Sequence, residues 1–343
     1  MISGEGARDA TPSPRRLTIG HYPTAVEWVE RLSARGFELW VKRDDLTNAE
    51  YGGNKVRKLE RVLAEVRARG VTRIVTVGAA GSHHVLATTL FGKREGLEVE
   101  AVLVPQPSSE HVVEVLRASL ARGLHAFPVS SRALVPAAGA ARVVTGATFV
   151  PIGGSSVSGA MGYVDAAREI AAQVRAGAAP EPDVCVVALG SGGTAAGLTV
   201  GFEAERMKTR VVGVCVSDPK ALVAFASRRL TRACARRAGV RATAAVLRHR
   251  LFIDTRFLGD GYGHATRDGD AATQDAKIGA TLTLDATYTA KAFAAALWHV
   301  RARRSPRVLY LHTLSSAPME PLLEGAAAID AMDPALRALV TRS

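Results

Sequence analysis

Short apolar runs alternate with amphipathic helical patterns along this chain of 343 residues, and this rhythm limits the possible folds most strongly. Valine-rich runs indicate buried strands, while segments such as 109–120 and 163–174 repeat apolar residues at helical spacing. Strands joined through helices run parallel. The rhythm therefore predicts an α/β fold with mainly parallel sheets. The predicted strands are 37–43, 71–77, 99–104, 125–129, 149–152, 184–189, 211–216 and 308–311.

Composition narrows the class of protein. A hydrophobic content of 48% supports a large core, and the length suits two lobes. The net charge is +12, but the basic residues are scattered and aromatic residues make up only 5%, which argues against nucleic-acid binding. No apolar run reaches membrane-spanning length, and residues 1–6 lack the apolar core of a signal peptide. We therefore expect a cytoplasmic protein with neither membrane nor nucleic-acid partners.

The three cysteines do not form a metal-binding pattern. Cys185 and Cys215 lie in apolar runs, and Cys234 has no ligand spacing to either of them. We expect three buried thiols in a reducing compartment, and no metal site.

A lysine placed directly after two glycines is the strongest chemical signal. In the segment 52–58, GGNKVRK, Asn54 is the predicted N-cap of a helix and Lys55 lies in its first turn. An amine near a positive helix end, with Arg57 and Lys58 close by, loses its proton more easily than an ordinary lysine. A neutral amine is what a carbonyl cofactor requires. A solvated basic helix face is the alternative interpretation for this segment taken alone.

A glycine-rich turn follows the predicted strand 184–189. The segment 190–194, GSGGT, leads into a helical pattern, so its backbone amides and the helix N-terminus suit a phosphate group. A tight structural turn is one alternative. A second is a nicotinamide dehydrogenase, because Gly190, Gly192 and Ala195 match the relaxed dinucleotide fingerprint and Asp218 ends the next strand.

A serine and two histidines follow the predicted strand 71–77. Ser82, His83 and His84 come at the carboxyl end of that strand, where ligands bind in parallel sheets. Capping of the next helix by Ser82 is the structural alternative. Adjacent histidines point apart on a helix, so a metal pair is not expected.

These motifs occur in a single order with the segments 42–46 (KRDDL) and 151–155 (PIGGS). From about residue 23 to about residue 323 the chain resembles the D-cysteine desulfhydrase and 1-aminocyclopropane-1-carboxylate deaminase family of pyridoxal-phosphate enzymes. The resemblance implies the tryptophan-synthase-β-like fold type II, a two-lobed, three-layer αβα architecture. Residues 1–57 and 163–343 would form the large lobe and residues 58–162 the small one, with pyridoxal 5'-phosphate between them. Family members are commonly homodimers, and we expect a homodimer here.

The resemblance also implies a role for each matching residue. Lys55 would hold the cofactor and move the substrate α-proton, assisted by Ser82, Tyr262 and Tyr288. The implied cofactor contacts are Asn54, Lys55, Lys58, His83, Gly190, Ser191, Gly192, Gly193, Thr194 and Thr289. The implied contacts to a small amino-acid substrate are Ser82, His83, His84, Tyr262, Thr313 and Leu314.

Thr289 falls where the family places the partner of the pyridine nitrogen. The cyclopropane-opening deaminases carry glutamate there, and desulfhydrase-like members carry threonine. A hydroxyl does not hold the ring nitrogen protonated as a carboxylate does, so the ring withdraws electrons less strongly. The resemblance therefore implies a lyase that performs β-elimination, with D-cysteine giving a 2-oxo acid, ammonia and sulfide.

Two positions depart from the family pattern. His83 replaces the usual asparagine, and the segment 312–315, HTLS, replaces a His-Thr-Gly-Gly turn, which places Leu314 beside the cofactor. These changes leave open β-replacement, racemisation or ring-opening deamination in a specialised relative. They also leave open a binding protein that keeps the fold without turnover.

Overall fold

Two sheets organise residues 16–341, the part of the chain that this computed structural model describes. The larger sheet has the strand order β1 (Val26–Trp28), β2 (Glu38–Lys42), β10 (Arg307–Leu311), β7 (Val184–Leu189), β8 (Arg210–Cys215) and β9 (Leu251–Asp254). The smaller sheet has the order β5 (His125–Pro128), β4 (Glu98–Val104), β3 (Arg73–Ala79) and β6 (Thr148–Phe149). Strand β1 runs antiparallel to β2, and the other neighbours run parallel.

Helices connect the strands and cover both sheets. They are α1 (Asn54–Ala68), α2 (His83–Arg94), α3 (Glu110–Ala121), α4 (Val135–Val144), α5 (Val157–Arg175), α6 (Gly193–Ala204), α7 (Lys220–Arg237), α8 (Ala244–Arg250), α9 (Arg267–Gly279), α10 (Thr289–Arg301), α11 (Glu320–Leu323) and α12 (Pro334–Thr341). Short 3-10 turns lie at Glu30–Leu32, Asp44–Leu46, Arg132–Leu134, Ile152–Gly154 and Ile329–Ala331.

Side chains that alternate along the strands build a core on each face of a sheet. In the larger sheet Val184 and Val186 pack with α9 and α10, whereas Cys185 and Val187 pack with α5 and α6. The smaller sheet carries α1, α2 and α3 on one face and α4 on the other. Each sheet is therefore the middle layer of an αβα stack, and the predicted fold class is confirmed.

Predicted and observed strands agree best where an apolar run is buried on both faces. The prediction 184–189 matches β7, and 99–104 matches β4 to within a residue. Strands β1 and β9 were not predicted, because they are short edge strands with half-exposed side chains. The predicted strand 149–152 ends early, since the chain turns into the 3-10 segment Ile152–Gly154.

The start of α1 differs from the prediction. Gly53, with φ of +88°, is the N-cap, and Asn54 is already the first helical residue. A Cβ atom at Gly53 would lie 2.5 Å from the carbonyl oxygen of Thr313, so glycine lets the helix start against the 313–315 loop. The Asn54 side chain is thereby released for other contacts.

Both ends of the described chain pack against the smaller sheet. Leu17 and Ile19 contact the core that α1, α2 and α3 form over this sheet, and the same core contains Leu322, Met332 and Leu339. The predicted lobe division, with residues 1–57 and 163–343 in one lobe and 58–162 in the other, stays a prediction.

Two further expectations concern the chain as a whole. The cysteines Cys185, Cys215 and Cys234 are buried free thiols, as predicted. Among the helices of residues 16–341, none combines the length and the apolarity needed to cross a membrane.

Candidate active site

A cavity of about 510 Å³ lies where the carboxyl ends of parallel strands from both sheets meet. Its walls come from the loops after β3, β7 and β10 and from the first turn of α1. The predicted site residues that line it are Asn54, Lys55, Lys58, Ser82, His83, His84, Gly190, Ser191, Gly192, Thr194, Tyr262, Tyr288, Thr289, Thr313 and Leu314. Of the predicted set, Gly193 does not line the cavity.

Lys55 lies in the cavity wall, held by its neighbour. Its Nζ donates to Asn54 Oδ1 at 2.8 Å, and Asn54 Nδ2 donates to Thr194 Oγ1 at 3.2 Å. Burial lowers the pKa of Lys55 to about 8, although the Asp285 carboxylate opposes this shift. The predicted direction is confirmed, but the main cause is burial rather than the predicted positive charges, of which Arg57 turns away and pairs with Asp44. With this pKa about one-tenth of the amine is neutral at pH 7, far more than for an ordinary lysine.

The pKa of Lys55 can be tested by chemical modification. We expect an amine-specific acylating reagent to modify Lys55 with a rate that rises through about pH 8, as the ammonium loses its proton. Peptide mass spectrometry of the cofactor-free protein measures this rate. The exposed Lys277 gives the reagent's own pH dependence in the same sample. Identical profiles for the two lysines would contradict the shift.

The glycine turn after β7 forms a cradle at the N-terminus of α6. Gly192, with φ of +86°, is the N-cap of this helix, and a Cβ there would collide with the hydroxyl of Ser227. That hydroxyl is buried and has no hydrogen-bond partner in the described structure. Backbone amides at a helix start, with the amine of Lys58 nearby, suit a phosphate group. The donors present therefore fit a phosphorylated cofactor.

The amine of Lys58 and the hydroxyl of Ser155 lie beside the cradle. Lys58 Nζ donates to the carbonyl oxygen of Gly153 at 3.1 Å, and burial, with Lys55 nearby, holds its pKa well below the usual range. An anion in the cradle would favour the charged form of this amine. Gly193, a predicted cofactor contact, instead donates its N–H to Ser155 Oγ at 3.1 Å. Ser155 Oγ lies 2.7 Å from Ser191 Oγ, so the hydroxyls bond to each other.

A carboxylate missed by the sequence reasoning stands behind Thr289. The hydroxyl Oγ1 of Thr289 lies 2.6 Å from Asp285 Oδ2 and accepts the backbone N–H of Asp285 at 2.7 Å. Asp285 also accepts the backbone N–H of Tyr288 at 2.7 Å, which fixes the start of α10. Asp285 lies four residues before Thr289, and this spacing in the sequence could have indicated that the two side chains are in contact. Asp285 lines the cavity and is separated from a group bound to Thr289 by one hydroxyl.

The two predicted tyrosines form a pair in the cavity wall. Their hydroxyl oxygens are 2.7 Å apart, and the rings of Tyr262 and Tyr288 meet edge to face. Burial raises the pKa of both phenols, so both keep their protons at neutral pH. Arg132, which no sequence argument singled out, places its guanidinium 5.5 Å from the centre of the Tyr262 ring.

Ser82, His83 and His84 have separate roles in the structure. Ser82 caps α2 by accepting the N–H of Val85 at 3.4 Å and also lines the cavity, so both interpretations of this residue are compatible. Both ring nitrogens of His84 lie within hydrogen-bond distance of threonine hydroxyls, Thr76 at 2.9 Å and Thr88 at 3.3 Å. His83 points elsewhere, towards Tyr51. The two histidines diverge, as predicted.

The 313–315 loop closes the cavity beside α1. The carbonyl oxygen of Thr313 accepts the N–H of Asn54 at 3.2 Å, and Ser315 Oγ accepts the N–H of Gly52 at 2.8 Å. Leu314 is buried and lines the cavity. Ser315, one of the two residues that replace the family's glycines, therefore ties this loop to the segment carrying Lys55.

A lysine with a lowered pKa, facing a phosphate cradle at the carboxyl ends of parallel strands, defines an enzyme that holds a phosphorylated carbonyl cofactor. The sequence from residue 17 to 313 matches the family described as "Pyridoxal-phosphate dependent enzyme". The chain belongs to this family, and pyridoxal phosphate is its cofactor. This match decides against the nicotinamide dehydrogenase alternative.

Individual relatives are consistent with this assignment. The chain is 33% identical over 321 residues to a D-cysteine desulfhydrase of Klebsiella pneumoniae subsp. pneumoniae, covering 89% of this chain and 95% of the relative. A solved structure described as an ACC deaminase homologue is 27% identical, with a TM-score of 0.76 over 90% of this chain and 96% of that one. Threonine deaminase isoform 2 from Solanum lycopersicum, 17% identical with a TM-score of 0.60 over 88% of this chain and 81% of that one, shares the fold.

Proposed function

We propose that this protein is a pyridoxal-phosphate-dependent lyase that expels the β-substituent of a small amino acid, with D-cysteine as the first substrate to test. The main support for this proposal is that a hydroxyl, that of Thr289, is placed to meet the ring nitrogen of the cofactor. The carboxylate of Asp285 is hydrogen-bonded to that hydroxyl and therefore lies one group further from the ring nitrogen. The identity of 33% to a D-cysteine desulfhydrase supports the same reaction. D-cysteine and water would give a 2-oxo acid, ammonia and hydrogen sulfide.

The residues in the cavity fit each part of the cofactor. The cradle of residues 190–194 with Lys58 suits the phosphate, Lys55 suits the carbonyl carbon, and Thr289 suits the ring nitrogen. When bound, pyridoxal phosphate delocalises the electrons released at the α-carbon of an amino acid. The protein's task is then to bind, orient and exchange protons.

The side chains divide this task. Lys55 Nζ would take the proton from the α-carbon, since its lowered pKa leaves part of the amine neutral near pH 7. The hydroxyl of Ser82, at the N-terminus of α2, suits the substrate carboxylate. Tyr262 and Tyr288 keep their protons and can donate hydrogen bonds to the substrate. Their roles in the reaction are part of the proposal.

A substrate panel tests the reaction class. We expect the purified protein, loaded with pyridoxal phosphate, to release sulfide and 2-oxo acid from D-cysteine in equal amounts. L-cysteine, an O-acetylated serine with a thiol acceptor, and the cyclopropane amino acid test stereochemistry, replacement and ring opening. Ring opening without sulfide release would favour a deaminase. Binding with no exchange of the α-proton for deuterium across the panel would favour a non-catalytic protein.

Thr289 provides a graded test of the same proposal. We expect Thr289→Val to lower kcat for elimination about fivefold, since one net hydrogen bond is worth about 1 kcal/mol and 1.4 kcal/mol is tenfold in rate. Steady-state sulfide release measures the effect. Thr273→Val is the matched control, because the hydroxyl of Thr273 bonds to its own helix through the carbonyl oxygen of Gly269. Equal kcat values for the two variants would show that the Thr289 hydroxyl does not contribute to elimination.

Assembly and location are separate proposals. A homodimer and a cytoplasmic location remain predictions from the resemblance and from composition. Sedimentation of the purified protein at several concentrations measures the assembly, and a sedimenting species with the mass of a single chain throughout would contradict the dimer.

A further inference from the structure

Three aromatic side chains from different parts of the chain form a line from the cavity to the surface. Tyr51 precedes α1, His83 begins α2, and His111 lies in the first turn of α3. The hydroxyl of Tyr51 lies 2.5 Å from His83 Nδ1, and His83 Nε2 lies 3.1 Å from His111 Nε2. Tyr51 and His83 line the cavity. Neither Tyr51 nor His111 has a part in the roles described above.

Exposure increases in steps along this line. Tyr51 is 2% exposed, His83 is partly buried, and the side chain of His111 is 42% exposed. The Glu114 carboxylate lies 3.8 Å from His111 Nδ1, too far for a hydrogen bond, so this nitrogen stays open to water. The line therefore joins a buried hydroxyl in the cavity wall to a ring that water can reach.

A neutral imidazole has one N–H and one accepting nitrogen, so the line can run in two directions. In the first, Tyr51 donates to His83 Nδ1, and His83 Nε2–H donates to His111 Nε2. In the second, His111 Nε2–H donates to His83 Nε2, and His83 Nδ1–H donates to Tyr51. Going from the second direction to the first, one proton enters at His111 Nδ1 and one leaves from the Tyr51 hydroxyl into the cavity. Each ring starts and ends neutral.

The surroundings of His83 suit this exchange. Burial lowers the pKa of His83 to about 3, the neighbouring His111 and Lys55 lower it further, and the Asp285 carboxylate opposes them. The His83 ring is therefore neutral near pH 7 and keeps one hydrogen-bond donor and one acceptor. Burial also raises the pKa of Tyr51, so its hydroxyl holds a proton until a stronger acceptor is present. An imidazolium at His83 would lack an acceptor and would break the line.

We propose that Tyr51, His83 and His111 form a proton pathway between solvent and the cavity, with the Tyr51 hydroxyl as the acid inside. This inference rests on the proposed β-elimination. In that reaction the Cα–H and Cβ–S bonds break and a carbon–carbon double bond forms, so the departing sulfur needs a proton. Lys55 takes the proton from Cα. Tyr51 gives its proton to the sulfur, and the pathway returns one to Tyr51 from water at His111.

Kinetics test the pathway at its outer end. We expect His111→Leu to lower kcat for D-cysteine by roughly 10²-fold, the lower end of what positioned proton transfer contributes, with KM unchanged. Added imidazole buffer should restore part of kcat, which a purely structural role of His111 would not allow. His125→Leu is the matched control, because His125 is an exposed histidine in β5 of the sheet that α3 covers. A loss that no buffer rescues would overturn the proposal.

A spectroscopic readout is independent of turnover. In full-length protein labelled with 15N-histidine, long-range proton–nitrogen spectra show which ring nitrogen carries hydrogen. We expect Tyr51→Phe to change the tautomer populations of both His83 and His111, although His111 does not touch Tyr51. Unchanged spectra of His111 would overturn the pathway. A zinc ion that copurifies with the protein and is lost in His111→Leu would overturn it too, since the two Nε2 atoms would then be metal ligands.

The two proposals fail in different ways. If no β-substituted amino acid is cleaved by the wild type, the proposed function fails, while the nitrogen spectra still decide whether the three rings are coupled. If sulfide is released normally by His111→Leu and Tyr51→Phe, the pathway fails and the lyase assignment stands.

Discussion

Lys55→Ala is expected to lower the turnover of D-cysteine by roughly 10³-fold, within the range that a positioned acid or base contributes. The variant removes an amine whose pKa of about 8 leaves part of it neutral near pH 7, and the visible absorbance of bound cofactor should be lost with it. Sulfide release and an absorbance spectrum measure both effects. Circular dichroism shows whether the variant is folded.

Two variants separate the amine's chemistry from its charge. Lys55→Arg keeps a positive charge, but a guanidinium does not become neutral in proteins, so we expect it to be as inactive as alanine. Lys277→Ala removes an exposed lysine and should leave turnover unchanged. Full turnover and unchanged absorbance in Lys55→Ala would contradict both the role of Lys55 and the proposed function.

Asp44→Ala is expected to lower the free energy of unfolding by about 3 kcal/mol, the lower end of the cost of removing one partner from a buried ion pair, because Arg57 keeps Glu169 as a second partner. Asp44 is fully buried and binds Arg57 through two hydrogen bonds, at 2.8 and 2.9 Å. It also accepts the Tyr163 hydroxyl at 2.8 Å. Because Arg57 lies two residues after Lys55, this pair fixes the helix turn that carries the amine.

Urea unfolding measures this loss, with Asp275→Ala as the control. Asp275 pairs with Arg301 at the surface, where both side chains are partly exposed, and an exposed pair contributes at most about 1 kcal/mol. Equal losses in the two variants would show that the buried pair contributes no more than a surface pair.

The pH dependence of stability gives a second measurement of the same pair. Burial alone would raise the pKa of Asp44, but the charge and hydrogen bonds of Arg57, with Lys42 and Tyr163, outweigh it, and the net pKa is lowered. The stabilisation is therefore complete above the unfolded pKa of about 3.9 and is lost as pH falls through the lower folded value. The stability difference between wild type and Asp44→Ala should shrink below about pH 4.

Local patterns were enough to predict much of the fold. The apolar run of β7 and the glycine turn that follows it are contiguous in sequence, so periodicity and turn chemistry identify them together. The N-cap of α1 was misjudged because the choice between Gly53 and Asn54 depends on the distant carbonyl of Thr313, which approaches too closely for a side chain. The edge strand β9 follows a segment without clear periodicity.

The candidate site was less predictable, because its contacts join distant segments. Lys55, Ser82 and Tyr288 were identified from motifs, and all three line the cavity. The contact between His83 and His111 depends on the packing of two helices, which no local pattern reveals. The cause of the lowered pKa of Lys55 is burial, a property that sequence spacing does not report.

The packing of both chain ends on the smaller sheet has a practical consequence. Because Leu17 and Leu339 contact the same core, a reporter dye attached at Ala335, an exposed residue of the helix that carries Leu339, would move with the four-stranded sheet. A second dye at Lys277, on a helix that covers the six-stranded sheet, would give a distance between the two sheets. Energy transfer between the two dyes would show whether the two sheets move relative to each other when a substrate binds, without any label inside the site.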